Sequence, residues 1–133
     1  MPVSPYIHFP GTCRDALALY ARAFGGEPHI LLRSEAPEGT EPESTQHLVM
    51  HGTLEIHGTT VMLADSLAEA LVPSGDRISL MVNRMAREEI DRAFAVLAEG
   101  GEVLMTPQIT FWSPWYGQLI DRYGLVWQLS AED

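Results

Sequence analysis

The stretch Cys13-Arg-Asp-Ala-Leu-Ala-Leu-Tyr-Ala-Arg-Ala-Phe-Gly-Gly-Glu27 places Ala16, Leu17, Leu19, Tyr20, Ala23 and Phe24 at steps of three and four. That spacing predicts a helix over 13–24 with one buried stripe, and Gly25-Gly26 supplies a left-handed stop. Thr12 stands where its hydroxyl could accept one of the helix's first amides. The ending recurs: Ala23-Phe-Gly-Gly-Glu27 matches Ala98-Glu-Gly-Gly-Glu102 about 75 residues on, and Gly58 with Val61 and Leu63 matches Gly124 with Trp127 and Leu129 about 66 on. A second helix is accordingly expected over Arg87 to Glu99, with Ile90, Ala93, Phe94 and Leu97 inward.

Strands fill the intervals. Ser4 to Phe9 reads as a short strand ended by Pro10-Gly11-Thr12, and Glu27 to Arg33 as a second. Gln46 to His57 alternates Leu48, Met50, Leu54 and Ile56 against His47, His51, Glu55 and His57, the period of a half-buried strand. Thr60 to Ala64 follows the Gly58-Thr59 turn. The order repeats as strand Ile78 to Val82, the second helix, strand Glu102 to Thr106, and a hairpin from Tyr116 to Leu129 around Tyr123-Gly124. Between the copies, Asp65 to Gly75 is a connector with a helical turn around Leu67 to Leu71. The acidic, proline-broken stretch Ser34 to Ser44 reads as a mobile loop or lid. The fold class implied is α+β in one domain of 1–133. Two βαβββ units, about 1–66 and 76–133, form a curved mixed sheet around a shared cavity where a ligand would sit.

The 133 residues carry 18 acidic and 8 basic side chains, a formal charge of −10. Such a surface repels phosphate backbones and anionic lipid, which argues against nucleic acid and membrane as partners. The chain shows no leader and no apolar run long enough to span a bilayer, so the expectation is a cytoplasmic protein. The single cysteine, Cys13, excludes an internal disulfide and a Cys-built zinc site, and is expected to pack as a small residue. Open sheet edges and an aromatic patch of Trp112, Trp115 and Tyr116 imply a homodimer with an apolar interface.

Four of the five histidines, His8, His47, His51 and His57, fall on predicted strands. At about 3.3 Å per residue His47 and His51 lie roughly 13 Å apart along one strand, too far to share an ion. Asp65 and Asp121 follow strands beside turns, where a carboxylate caps backbone amides. The aromatic patch offers flat apolar faces to a planar ligand.

Pro5-Tyr-Ile-His-Phe-Pro-Gly-Thr-Cys-Arg-Asp-Ala-Leu-Ala-Leu-Tyr20 with Phe24-Gly-Gly-Glu27, then His51, Gly58, Met62-Leu63, Asp65, and finally Phe111-Trp112, Gly117, Asp121, Tyr123-Gly124 and Trp127, resemble the PhnB-like branch of the vicinal oxygen chelate superfamily. The resemblance covers nearly the whole chain. It implies the glyoxalase, bleomycin-resistance and dioxygenase fold, whose members include glyoxalase I, extradiol dioxygenases, fosfomycin-modifying enzymes and bleomycin-sequestering proteins, so chemistry stays open. Some PhnB-like proteins carry a 3-demethylubiquinone 3-methyltransferase label, yet no glycine-rich strand-to-helix loop for a nucleoside cofactor is present here.

The superfamily's metal ligands come from the first and fourth strand of each unit. By the resemblance, those positions fall on Ser4 or Pro5, Met62, Arg77 and Gln128. A one-residue change of register would bring in His8 instead. A thioether and a guanidinium do not replace hard or imidazole ligands, so no metal and no cofactor is expected. Arg77 and Gln128 could instead hold an anionic or carbonyl-bearing group. The resemblance and the strand parity add His51, and the expected ligand-binding set is His51, Arg77, Trp112, Trp115 and Gln128. The reading is a small-molecule-binding protein, its partner a small organic molecule of anionic or aromatic character. The alternative is a divalent-metal lyase, isomerase or dioxygenase using His8 or His51. A third reading is a scaffold whose cavity is filled by Met62 and Phe111.

Overall fold

The computed structural model describes residues 3–37, 42–67 and 75–132. Its elements run β1 (Tyr6–Phe9), α1 (Cys13–Phe24), β2 (His29–Leu32), β3 (Val49–Ile56), β4 (Thr59–Asp65), β5 (Ser79–Val82), α2 (Arg87–Leu97), β6 (Glu102–Gln108), β7 (Tyr116–Ile120) and β8 (Val126–Ser130). The architecture is α+β. Strands of the first unit are ordered β1-β4-β3-β2, those of the second β5-β8-β7-β6, and only the first and last strands of each unit pair in parallel. The chain divides into Met1–Ala21 with Gly25–Leu71, and Arg22–Phe24 with Val72–Asp133. The last turn of α1 thus groups with the second half, where the Phe24 ring lies 5.2 Å from that of Trp127. Among the described residues no helix is long and apolar enough to cross a membrane.

Each helix rests on a glycine of the third strand of its unit. A Cβ at Gly52 would stand 2.8 Å from Leu17 Cδ1, and one at Gly117 2.8 Å from Phe94 Cε2. Both glycines pair with buried leucines, Gly52 with Leu63 and Gly117 with Leu129. The duplication read from the sequence therefore extends to packing, because the strand must present bare backbone for the helix to seat. Register then equates Thr53 with Gln118, His51 with Tyr116, Met62 with Gln128 and Tyr6 with Met81 across the two units.

Several local expectations change. Thr12 makes no side-chain cap on α1. The amide of Cys13 is taken by Asp65 Oδ1 at 2.9 Å, while Oδ2 accepts from Val49 at 2.9 Å, so one buried carboxylate ties helix, third strand and fourth strand. A full charge at a helix start outcompetes a neutral hydroxyl. The alternation expected from Gln46 holds only from Gly52 onward, because Leu31 pairs with His51 but Leu32 with Val49. That bulge at Met50 turns Val49 inward and leaves Met50 half-buried. His47 precedes the shortened strand, next to a 3₁₀ turn over Glu43–Thr45; a similar turn covers Arg33–Glu35, and residues 38–41 of the expected lid lie outside the described residues. So does the turn expected around Leu67 to Leu71, beyond Leu67 itself. Strand β6 runs two residues past Thr106.

In the second unit the buried carboxylate is Asp121. Its Oδ1 accepts from Tyr123 N at 2.8 Å and Leu125 N at 3.1 Å, and its Oδ2 from Trp127 Nε1 at 2.9 Å. Replacing Asp121 by Ala strands three donors, two of them beside the core, and should cost about 3 kcal/mol or more. Glu99→Ala, which removes exposed ion pairs to Arg22 and Arg122, should cost about 1 kcal/mol or less. Urea midpoints check this; equal losses would show that Asp121 does not organise the turn.

Cys13 is fully buried, and desolvation, reinforced by the negative charge of Asp65, pushes its thiol up to about 12. A thiol so held presents almost no thiolate at pH 8. A disulfide reagent should leave the native protein unmodified for hours and titrate one thiol per chain in guanidinium. Since the folded state retains the proton and the unfolded thiol gives it up near 9, stability should fall as pH rises from about 9 towards 12.

Candidate functional site

The face of the second sheet turned away from α2 carries a continuous polar and aromatic chain. It begins in the loop between β6 and β7, where Thr110 N donates to Ser113 O at 3.0 Å and Ser113 N donates to Thr110 Oγ1 at 3.1 Å. The Ser113 hydroxyl anchors this tight turn, donating to Trp115 O at 2.8 Å and lying 3.0 Å from Ser130 Oγ on β8. The turn projects Phe111, 97% exposed, and Trp112, 44% exposed. Their rings meet edge to face at 4.8 Å, and Trp112 meets Tyr116 in the same way at 5.4 Å. Below Trp112, only 4% of Tyr116 is exposed. Its hydroxyl donates to Gln128 Oε1, and Gln128 Nε2 donates to Ser79 Oγ at 2.7 Å. Burial pushes the Tyr116 phenol above its ordinary value, and its hydroxyl is the donor because the atom it faces is an amide oxygen.

Two expected members stand elsewhere. Trp115 is half-buried against α2: its Nε1 donates to Asp91 Oδ1 at 2.8 Å, and the Arg87 guanidinium sits 3.5 Å from the ring centroid. The aromatic patch is therefore split, with Trp112 and Tyr116 on one side and Trp115 serving the helix. Arg77 is exposed and precedes β5, and the side chain that meets Gln128 is Ser79, of the same parity one pleat further on. Tyr116 and Ser79 are the residues that sequence reasoning left out of the set. Ser79 lies inside the expected strand Ile78 to Val82, and it was the resemblance that put the position two residues earlier, on Arg77.

The same one-pleat slip occurs in the first unit. Ser4 shares parity with Tyr6 and His8, and it is Tyr6 that pairs with Met62. Tyr6 stacks on His8, with ring centroids 4.9 Å apart and 11° between planes, and its hydroxyl lies 3.1 Å from His51 Nδ1. Of the four strand histidines, His8 and His51 are brought together through Tyr6. His57 sits in the turn after β3 with φ of 46°, and His47 ahead of the strand. Among the described residues no group of three or more His, Cys, Asp and Glu is placed to hold a metal ion.

The donor chemistry of these faces does not fit a divalent cation. The first unit offers Tyr6, Met62 and His51, with the His51 Nδ1 already at the Tyr6 hydroxyl. The second offers Met81 and Gln128, whose one hard oxygen already accepts the Tyr116 proton. Taken singly, the first face offers one imidazole beside a thioether and the second one amide beside a thioether, and neither makes the three-ligand set that a divalent ion needs.

Comparison with known proteins places this geometry. The family described as 3-demethylubiquinone-9 3-methyltransferase matches residues 2–130. Protein YjdN of Escherichia coli (strain K12) is 30% identical over 145 aligned positions, covering 98% of this chain and 95% of that protein. A Pseudomonas aeruginosa protein of solved structure is 31% identical with a TM-score of 0.84 over 99% of this chain and 98% of that one. A Bacillus cereus PhnB protein is 27% identical with a TM-score of 0.79 over 98% of both chains. The fold alone is shared with the fosfomycin resistance protein FosX of Listeria monocytogenes, solved with Mn(II), at 11% identity and a TM-score of 0.68 over 100% of this chain and 93% of that one. With the family model matched over residues 2–130, the chain belongs to the 3-demethylubiquinone-9 3-methyltransferase family.

Proposed function

We propose that the chain is a small-molecule-binding protein that takes a planar organic ligand on the second unit's sheet face, without metal. The observation that carries this reading is the chain Trp112, Tyr116, Gln128 and Ser79: an exposed indole beside three hydrogen-bonded polar groups. An aromatic wall with a few oriented polar groups is the ordinary make-up of a site for a flat, partly polar molecule. His51, held by Tyr6, belongs to the polar face of the first unit. Arg77, exposed before β5, is placed to meet an anionic substituent rather than to hold the ring. The exposed Ile78, Ile109 and Phe111 support a homodimer with an apolar contact, and the acidic composition supports a cytoplasmic protein without nucleic-acid partners.

Methyl transfer finds little support in the residues. Among the described residues the strand-to-helix turns are Pro10-Gly11-Thr12 and Asn83 to Ala86, and neither belongs to a doubly wound parallel sheet. Both helix starts are already filled by carboxylates, Asp65 on the Cys13 amide and Glu89 on the Ala86 amide at 3.0 Å. The residues do not fit a nucleoside cofactor.

Calorimetric titration with 2-acetylnaphthalene as a planar probe tests the reading. Trp112→Ala should weaken binding about tenfold or more, from the ~1–3 kcal/mol of an aromatic stacking face, with the fold verified by thermal melting. His47→Ala, a change in the first unit outside this set, should leave binding unchanged. Equal losses in the two variants would move the site off the aromatic rim.

A further inference from the structure

The direction of the hydrogen bonds on this face settles what kind of atom the face can receive. Gln128 Oε1 accepts from the Tyr116 hydroxyl, and the amide's NH2 group is turned towards Ser79. Gln128 Nε2 donates to Ser79 Oγ at 2.7 Å, so the serine hydroxyl is the acceptor in that contact and its own proton points elsewhere. Among the described residues no acceptor takes that proton. Ser79 is half-buried at the start of β5, beside Met81 and in register with Val126. Its hydroxyl proton, with no acceptor among the described residues, is open to a ligand oxygen that approaches this face.

We propose that Ser79 is the specificity-determining donor of the site, presenting its hydroxyl proton to a carbonyl or carboxylate oxygen on the planar ligand. This rests on the aromatic reading above and adds the chemical class. Gln128 acts as a positioning residue: it hands the polarity set by Tyr116 across β8 to β5 and makes no ligand contact of its own. The prediction differs from that of a merely polar pocket, because changing Gln128 should alter ligand preference through Ser79 without removing Ser79.

The test compares 2-acetylnaphthalene with 2-isopropenylnaphthalene, which replaces the carbonyl oxygen by CH2 at nearly constant shape. The wild type should bind the ketone about tenfold more tightly. Ser79→Ala should erase that preference by weakening the ketone alone, and Ser79→Thr, which keeps a hydroxyl and suits a strand, should retain it. Gln128→Glu should also erase it, since a carboxylate accepts from Tyr116 and Ser79 together and turns the serine proton inward. A preference that survives in Ser79→Ala, or equal weakening of both probes in that variant, would overturn the proposal. If the wild type binds both probes equally and Trp112→Ala weakens both, the donor role fails while the aromatic site stands. If neither probe binds, or binding ignores Trp112, both fall together.

Discussion

The hydrogen bond from the Tyr116 hydroxyl to Gln128 Oε1 sets the polar order of the second sheet face. The amide nitrogen of Gln128 meets Ser79, and Trp112, carried by the Thr110 to Ser113 turn, meets the Tyr116 ring edge to face. The pseudo-equivalent position in the first unit holds His51, whose partner is Tyr6 on the edge strand. The same backbone thus supports two faces of different chemistry, one ending in imidazole and one in an amide and hydroxyls. Duplication supplies the scaffold and side-chain replacement at equivalent register positions supplies the distinction.

The scaffold itself depends on two buried carboxylates and two bare strand positions. Asp65 and Asp121 each gather more than one donor, and Gly52 and Gly117 let the helices seat against the sheets. Asp65 and the two glycines act across chain separations that no local propensity encodes, whereas Asp121 gathers its donors from within its own turn. Asp65, for example, caps a helix that begins 52 residues earlier.

Element type was largely legible in the sequence, because the helix stripes and the repeated Gly-Gly stops are local signals; α1 has the bounds its periodicity predicts. Strand starts were less so. The register of both first strands is set by partners more than 45 positions away, which no local pattern reveals: Tyr6 faces Met62 and Met81 faces Gln128, where the resemblance had placed Ser4 or Pro5 and Arg77. The bulge at Met50 is invisible to an alternation count for the same reason. At the site, Gln128 and Trp112 were visible through the resemblance and through composition. Tyr116 was seen only as part of an aromatic run, since nothing in Trp115-Tyr116 says which ring faces the helix and which the amide.

The reading stands or falls on whether the second sheet face, where Tyr116, Gln128 and Ser79 are hydrogen-bonded to one another, holds a divalent ion. Elemental analysis of untagged protein, after incubation with manganese, zinc and nickel and removal of free ion, tests it directly. The expected result is well below one ion per chain for each metal. About one ion per chain, lost in Gln128→Ala, would contradict the account.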